Sequence, residues 1–358
     1  MATPNETSPT AAITYFSSYD YNYDDDPGIC EKDEVKNFGS SFLPSCYSLV
    51  FLLGLAGNIL VLLVLLKYKR LRSMTDIYLL HLAISDLFFV FALPFWSYFV
   101  ADEWLFGNWL CKFFSWVYLT GFYSGIFFIT LMSIDRYLAV VRVVFALKVR
   151  TVTYGTLTSL IVWLVAMAAS VPGLVFSETV LENDRIICRP NYPKNDMTWK
   201  FFTALEFNIL GLLVPFAVMF FCYMQILRAL CHCRNKNKKK AVKMIFVVMI
   251  VFFLFWTPYN IVLFLQCLHD AHIIEGCRIS TNLDYAFQAS QTLSFFHCCL
   301  NPVIYFFMGQ KFKKYISLLF KNNVFYRALC KPCGLPDTVS SELTASSRTQ
   351  STSDEEAL

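Results

Sequence analysis

The sequence predicts an all-α membrane protein: a seven-transmembrane helix bundle with a short amphipathic eighth helix. Three observations predict it. Only 16% of the 358 residues are charged while 56% are hydrophobic, a balance foreign to a soluble chain of this length. The apolar residues fall in seven blocks, each long enough to cross a bilayer core, which takes about 20 residues. The basic residues gather in the connections on one side.

The blocks run Phe42–Leu66, Ile77–Ala101, Phe113–Ile134, Thr151–Ser177, Phe201–Leu227, Met244–Leu268 and Tyr285–Gln310. Seven is odd, so the two tails are expected on opposite sides. Lys67, Lys69, Arg70 and Arg72 follow block one. Arg228, Arg234, Lys236, Lys238, Lys239, Lys240 and Lys243 follow block five. Lys311, Lys313 and Lys314 follow block seven. The positive-inside rule makes that side cytoplasmic. Four regions result: an extracellular tail over 1–41, the bundle over 42–310, a juxtamembrane helix over 311–320 and a cytoplasmic tail over 321–358. The net charge of +4 hides this polarity and implies no nucleic-acid partner. Met1–Asp26 lacks the basic start and apolar stretch of a cleaved signal peptide, so block one is expected to direct insertion.

The N-terminal tail is acidic. Asn5-Glu6-Thr7 is a glycosylation acceptor pattern, usable only outside. Tyr15, Tyr19, Tyr21 and Tyr23 approach the run Asp24–Asp26. These tyrosines are sulfation candidates on an anionic arm suited to drawing in a basic protein.

Block one carries Gly57-Asn58. Block two carries Asp86, the only acid deep within any span. A lone carboxylate in hydrocarbon is costly, so Asp86 is expected to face the bundle interior with partners. Asn58 and Asn301 are candidates to hydrogen-bond it, and a sodium ion to balance it; a protonated packing residue is the plain alternative. Pro94 should kink block two near its outer end.

Block three organises the rest. It opens at Cys111, runs uncharged from Phe113 to Ile134 and ends at Asp135-Arg136-Tyr137. An oxidisable outer end and an acid–arginine inner end suit a helix that links an outside event to an inside partner. Simple interfacial anchoring is the alternative. Block four carries Trp163 and Pro172, and block five Pro215 and Tyr223. Glu206, near the outer end of block five, tells less than Asp86. Block six carries Phe255-Trp256-Thr257-Pro258-Tyr259. A mid-helix proline removes a backbone donor and makes a bend that neighbours must stabilise. Trp256, two residues before it, is placed to turn ligand contact into a change of bend.

Block seven ends at Asn301-Pro302-Val303-Ile304-Tyr305. Beyond it Phe312, Ile316 and Leu319 share a helical face, with lysines at headgroup level. Cys330 and Cys333 are palmitoylation candidates. The Ser- and Thr-rich tail from Thr338 reads as a disordered kinase substrate.

The thirteen cysteines sort by side. Cys30, Cys111, Cys188 and Cys277 lie outside, where oxidation persists, and allow three pairings. Cys46, Cys222, Cys267, Cys298 and Cys299 fall within spans. Cys231, Cys233, Cys330 and Cys333 lie inside. Cys231-His232-Cys233 lacks a second ligand pair for zinc. There is no convergent nucleophile–base set, so no enzyme is expected, and no cofactor beyond an allosteric sodium ion.

Seven spans, Asp135-Arg136-Tyr137 and Asn301-Pro302-Val303-Ile304-Tyr305 together resemble the rhodopsin-like G-protein-coupled receptors. Locally, Asp135–Val141, Gly121–Phe128, Phe255–Asn260 and His297–Pro302 look like CC chemokine receptors, over roughly Cys30 to Phe320. The resemblance implies two bridges, Cys111–Cys188 and Cys30–Cys277. It implies a pocket lined by Tyr47, Trp96, Tyr118, Phe122, Tyr259 and Gln291. It implies an activation switch at Trp256, Pro258, Asn301 and Pro302, with G-protein coupling through Asp135, Arg136, Tyr137, Tyr223 and Tyr305. The implied partners are a basic secreted CC chemokine, an inhibitory-class G protein, receptor kinases and arrestin, at the plasma membrane.

Four positions depart from the family pattern. Gln291 replaces a glutamate, so a basic ligand terminus loses a charge partner there. Ala92 replaces a Thr or Ser that shapes the kink at Pro94. Arg142 replaces a histidine. Lys238 cannot form the acid–arginine lock between helices three and six, which leaves Asp135 as the expected resting partner of Arg136. Two rival readings remain open. One is an atypical scavenging receptor without G-protein coupling. The other is a membrane transporter, whose usual internal repeats and several intramembrane charges are not evident here.

Overall fold

The computed structural model describes residues 33–69, 71–182, 185–193, 197–231 and 236–308. Asn5, Tyr15, Tyr19, Tyr21, Tyr23, Cys30, the amphipathic segment after block seven, Cys330 and Cys333 lie outside the described residues.

The described chain is a helical bundle with one two-stranded hairpin. Its elements are α1 (Asp33–Val64), α2 (Met74–Ala101), α3 (Gly107–Val141), α4 (Val143–Val149), α5 (Val152–Ala169) and α6 (Val171–Phe176). Strands β1 (Ser177–Glu182) and β2 (Arg185–Pro190) follow, then α7 (Met197–Asn208), α8 (Val214–Cys231), α9 (Lys236–Asp270), α10 (Cys277–Phe295) and α11 (His297–Met308). Short π-helical segments, Leu65–Lys69 and Ile209–Leu213, end α1 and join α7 to α8.

The perimeter is apolar, unlike that of a protein in water, and polar side chains are gathered inside among an apolar core. Leu52, Leu157, Leu160, Phe216 and Leu254 stand exposed, while Asn58, Asp86, Asp135, Asn260 and Asn301 are buried. Lipid is the solvent that demands this arrangement, because it offers polar groups no partner. Six helices among the described residues are long and apolar enough to cross a membrane. The seventh crossing is the α10–α11 pair. Its first half carries Asp284, Gln288, Ser290 and Gln291, all buried against the bundle. Apolar content therefore reveals only its second half, and the helix begins at Cys277, before the expected Tyr285.

Local chemistry sets the ends and breaks. Ser73 and Asp76 form a reciprocal capping box that starts α2, satisfying two backbone donors that a helix start leaves over. The Thr151 hydroxyl caps α5 by accepting from the Tyr154 amide at 3.3 Å. Pro94, Pro258 and Pro302 lie inside α2, α9 and α11. The Asn260 side chain donates to the Trp256 carbonyl at 3.0 Å, close to where Pro258 removes a backbone donor. Span seven breaks at Phe296, where tighter turns (Phe296 N to Leu293 O, Cys299 N to Phe296 O, both 3.1 Å) replace α-helical bonds.

The strands pair antiparallel, with Thr179 opposite Cys188. Cys188 is bridged to Cys111 at the start of α3, the first of the two implied bridges. The second requires Cys30, which lies outside the described residues; Cys277 is itself disulfide-bonded. Trp104, fully buried, clamps the hairpin from the α2–α3 turn: its amide donates to Ile186 O at 2.7 Å and its indole to Gly107 O at 2.9 Å.

Candidate functional site

Four layers of side chains run through the bundle, from the disulfide end to the Asp135 end. The first is a cavity of about 160 Å³. Its walls come from α3, the end of α5, α6, the ends of β1 and β2, α7 and α9. Of the six residues implied for a ligand pocket, Tyr118 and Tyr259 line it. Tyr47, Trp96, Phe122 and Gln291 do not. The Tyr47 hydroxyl donates to Gln291 Oε1 at 3.3 Å, so those two hold α1 to α10. The Trp96 ring packs on Trp104 at 5.4 Å, beside the hairpin clamp. Tyr259 joins the Tyr47–Gln291 pair to the cavity, since its hydroxyl lies within hydrogen-bonding reach of Tyr118 and Gln291, and the Phe89, Tyr118 and Phe295 rings pack 5.0–5.9 Å apart beside them.

The cavity also gathers groups that the sequence did not single out for binding: Lys200, Gln266 and Asp270, with Glu206. Lys200 Nζ lies 2.8 Å from Asp270 Oδ2, tying α7 to the end of α9. Lysine and aspartate at span ends look like interfacial anchors in sequence, which is why this pair was not visible there.

The second layer is an aromatic floor. Phe122 packs on Trp256 at 4.2 Å and on Phe207 at 4.5 Å. Gly211, in the π-helical segment, allows this approach: a Cβ there would stand 2.6 Å from the Phe122 ring. Trp256 touches the cavity wall through Tyr259 at 6.0 Å and the next layer through His297 at 5.1 Å.

The third layer centres on Asp86. Asn301 Nδ2 donates to Asp86 Oδ2 at 2.8 Å, as the sequence leads one to expect. Asn58 does not bond Asp86. Its amide donates to the carbonyls of Gly54 (2.9 Å) and Cys298 (3.0 Å), which satisfies backbone groups near the break in span seven. His297 takes the place beside the acid instead, with Nε2 3.6 Å from Asp86 Oδ1 and Nδ1 2.6 Å from the Ser294 carbonyl. The break at Phe296 turns both His297 and Asn301 toward Asp86.

The fourth layer keeps the expected ion pair of Asp135 with Arg136, at 3.7 Å, and adds a closer partner that the sequence did not point to. Arg150, at the foot of α5, holds the Asp135 carboxylate through Nε at 2.7 Å and Nη2 at 3.3 Å. The Thr75 hydroxyl donates to the same group at 2.8 Å. Arg136 is left 3.7 Å away and donates to Thr75 Oγ1 at 2.7 Å. A two-point guanidinium fork outcompetes a side-on approach for the same oxygens. Tyr223 packs on Phe246 at 5.0 Å and Tyr137 on Phe221 at 5.9 Å; Tyr305 is buried. Ala92 is buried too, and Lys238's side chain lies outside the described residues.

Nothing in these layers resembles a catalytic centre. Among the described residues no three His, Cys, Asp or Glu side chains converge to hold a metal. What the layers do form is a run of contacts from a chamber at one end down to Asp86, and a buried acid–arginine cluster at the other end that shares helix α2 with it through Thr75, inside a lipid-facing bundle.

That is the build of a membrane receptor, and the sequence comparisons agree: the profile of the seven-transmembrane receptors of the rhodopsin family matches residues 57–305, and the chain belongs to that family. Within it the chain sits among the C-C chemokine receptors. It is 57% identical to the human C-C chemokine receptor type 4 over 339 residues, covering 95% of this chain and 94% of that one. The family is not enzymatic, so no residue here is assigned to catalysis.

Proposed function

We propose that this chain is a plasma-membrane receptor for a CC chemokine, with its N-terminus outside, that activates an inhibitory-class G protein and so raises cell calcium and directs leukocyte migration. The observation that carries this reading is the run of contacts from the cavity, through Phe122–Trp256 and His297 to Asp86 on α2, the same helix that brings Thr75 to the Asp135–Arg150–Arg136 cluster. Its likeness to the human type 4 receptor supports the choice of ligand class.

In this mechanism the acidic, tyrosine-rich tail, with its sulfation candidates and the glycan acceptor Asn5, first holds a basic folded chemokine by long-range attraction. The chemokine's flexible N-terminus then enters the bundle. A ligand shifts an equilibrium only by binding one state better. The state favoured has helix α9 swung out about Pro258, with Tyr223 and Tyr305 rearranged toward Arg136. The opening admits the C-terminal helix of Gα. By linkage, the G protein raises chemokine affinity in return. Tail phosphorylation by receptor kinases then recruits arrestin. Asp86 with Asn301 holds an allosteric sodium ion in the resting state, and palmitoyl chains on Cys330 and Cys333 anchor the juxtamembrane helix.

The test is a panel of CC chemokines, scored for surface binding and for nucleotide exchange on inhibitory-class Gα. At least one should bind and drive exchange. Binding and uptake with no exchange would replace this reading with a scavenging receptor. Absence of binding across the panel would sink the ligand class.

A further inference from the structure

The cavity's charges do not balance. Lys200 and Asp270 are paired at 2.8 Å, with the aspartate side chain only 1% exposed. That cation is committed to that anion. Glu206, half-buried on α7, lines the same chamber and makes no hydrogen bond or ion pair among the described residues. On α10, Gln291 is neutral, and its carbonyl oxygen already accepts from Tyr47. The unmatched negative charge of the pocket therefore sits on the α7 side. Around it stand tyrosine and phenylalanine faces: Tyr123 and Phe207 with centroids 6.1 Å apart, and Phe207 and Tyr259 at 5.8 Å. A carboxylate beside electron-rich ring faces is a receptor for a cation, by ion pairing and by cation–π attraction.

We propose that Glu206 is the anionic anchor of this pocket, and that it takes a cationic group from the flexible N-terminal segment of a chemokine. This rests on the chemokine-receptor reading above. The group is either the α-ammonium or a lysine or arginine side chain near it; both present the same charge and N–H donors. The ligand's N-terminus accordingly runs toward α7 and α9, and not toward Gln291 on α10.

The test uses a recombinant CC chemokine that drives nucleotide exchange through the wild-type receptor. Glu206→Gln keeps the shape of the side chain and removes its charge. It should raise the EC50 for exchange at least fivefold at unchanged surface expression, with Glu206→Asp in between. The same chemokine acetylated at its N-terminus, or with its N-terminal basic residues changed to glutamine, identifies the source of the cation. The modification that removes the true partner costs the wild-type receptor a similar factor and the Glu206→Gln receptor nothing further. A smaller loss in Glu206→Gln, or full additivity with both modifications, overturns the anchor while the receptor reading stands. If no chemokine drives exchange through the wild-type receptor, that reading fails and the anchor falls with it.

Discussion

Arg150 Nε donates to Asp135 Oδ1 at 2.7 Å, whereas Arg136, the next residue in the chain, lies 3.7 Å from the same carboxylate. The closest partner of the acid thus comes from the foot of α5, and the expected Arg136 pair is the longer of the two. Arg136 is parked on a neutral hydroxyl, Thr75 Oγ1, at 2.7 Å. Under the proposed mechanism this leaves the Arg136 charge weakly held and ready to move, while Arg150 keeps α3 and α5 in register.

Arg150→Gln should therefore loosen the resting state. The carboxylate is fully enclosed but Arg150 is 29% exposed, so solvent screening reduces the contribution to about 1 kcal/mol. Basal nucleotide exchange is expected to rise about fivefold, with chemokine binding at the surface unchanged. Exchange at the wild-type level, at matched expression, would show that Arg150 is only an anchor. Arg136→Ala, in contrast, should abolish exchange and leave bound chemokine in place.

The spans were legible because a bilayer imposes one long apolar run per crossing. The layers between them were not equally so. Asp86 with Asn301 follows from the cost of a buried acid, which limits partners to the few polar residues within spans. Arg150 could not be found that way. It sits 15 residues from Asp135, beyond the short helix α4, and a basic residue at a span's inner end looks like any headgroup anchor. Asn58 was legible as a buried amide but not in its choice of backbone carbonyls over Asp86, because that choice depends on the break at Phe296. Lys200 and Asp270 come together only once α7 and α9 are placed. Apolar runs mark where helices are, and say little about which polar ends meet.

Gly211 carries a packing prediction. An added Cβ would meet Phe122 Cζ at 2.6 Å, and the Phe122 ring is wedged between Trp256 and Phe207. Gly211→Ala should cost about 1–3 kcal/mol, the usual cost of overpacking a filled core. It should be read as a lower melting temperature of the detergent-solubilised receptor. Phe122→Leu in the same chain should recover most of the loss. An unchanged melting temperature would mean that the floor yields without strain.

Asp86 and His297 carry an ionic prediction. With His297 Nδ1 donating to the Ser294 carbonyl at 2.6 Å, its Nε2 presents a lone pair to Asp86 Oδ1 at 3.6 Å. Two lone pairs face to face need a proton or a cation near them. If sodium supplies it, sodium chloride should lower agonist affinity in wild-type membranes relative to N-methylglucamine chloride. Asp86→Asn should erase that difference. A sodium effect that survives Asp86→Asn would remove the ion from this site.

The Cys111–Cys188 bridge closes a loop across 77 residues, and the chain-entropy argument assigns such a loop about 4 kcal/mol. The hairpin has other supports, since Trp104 binds Ile186 O at 2.7 Å and Asn108 Oδ1 accepts from the Thr179 amide at 3.0 Å. These contacts cannot fix the strand that forms one wall of the cavity as firmly as a covalent link to α3. Cys188→Ser is therefore expected to reduce the surface level of the receptor severalfold, and to weaken chemokine-driven exchange further in the molecules that reach the surface. Basal exchange should be spared, because the Asp135 cluster lies at the other end of α3. Normal chemokine potency at the reduced surface level would show that the bridge serves folding alone and that the hairpin's position does not matter for the ligand.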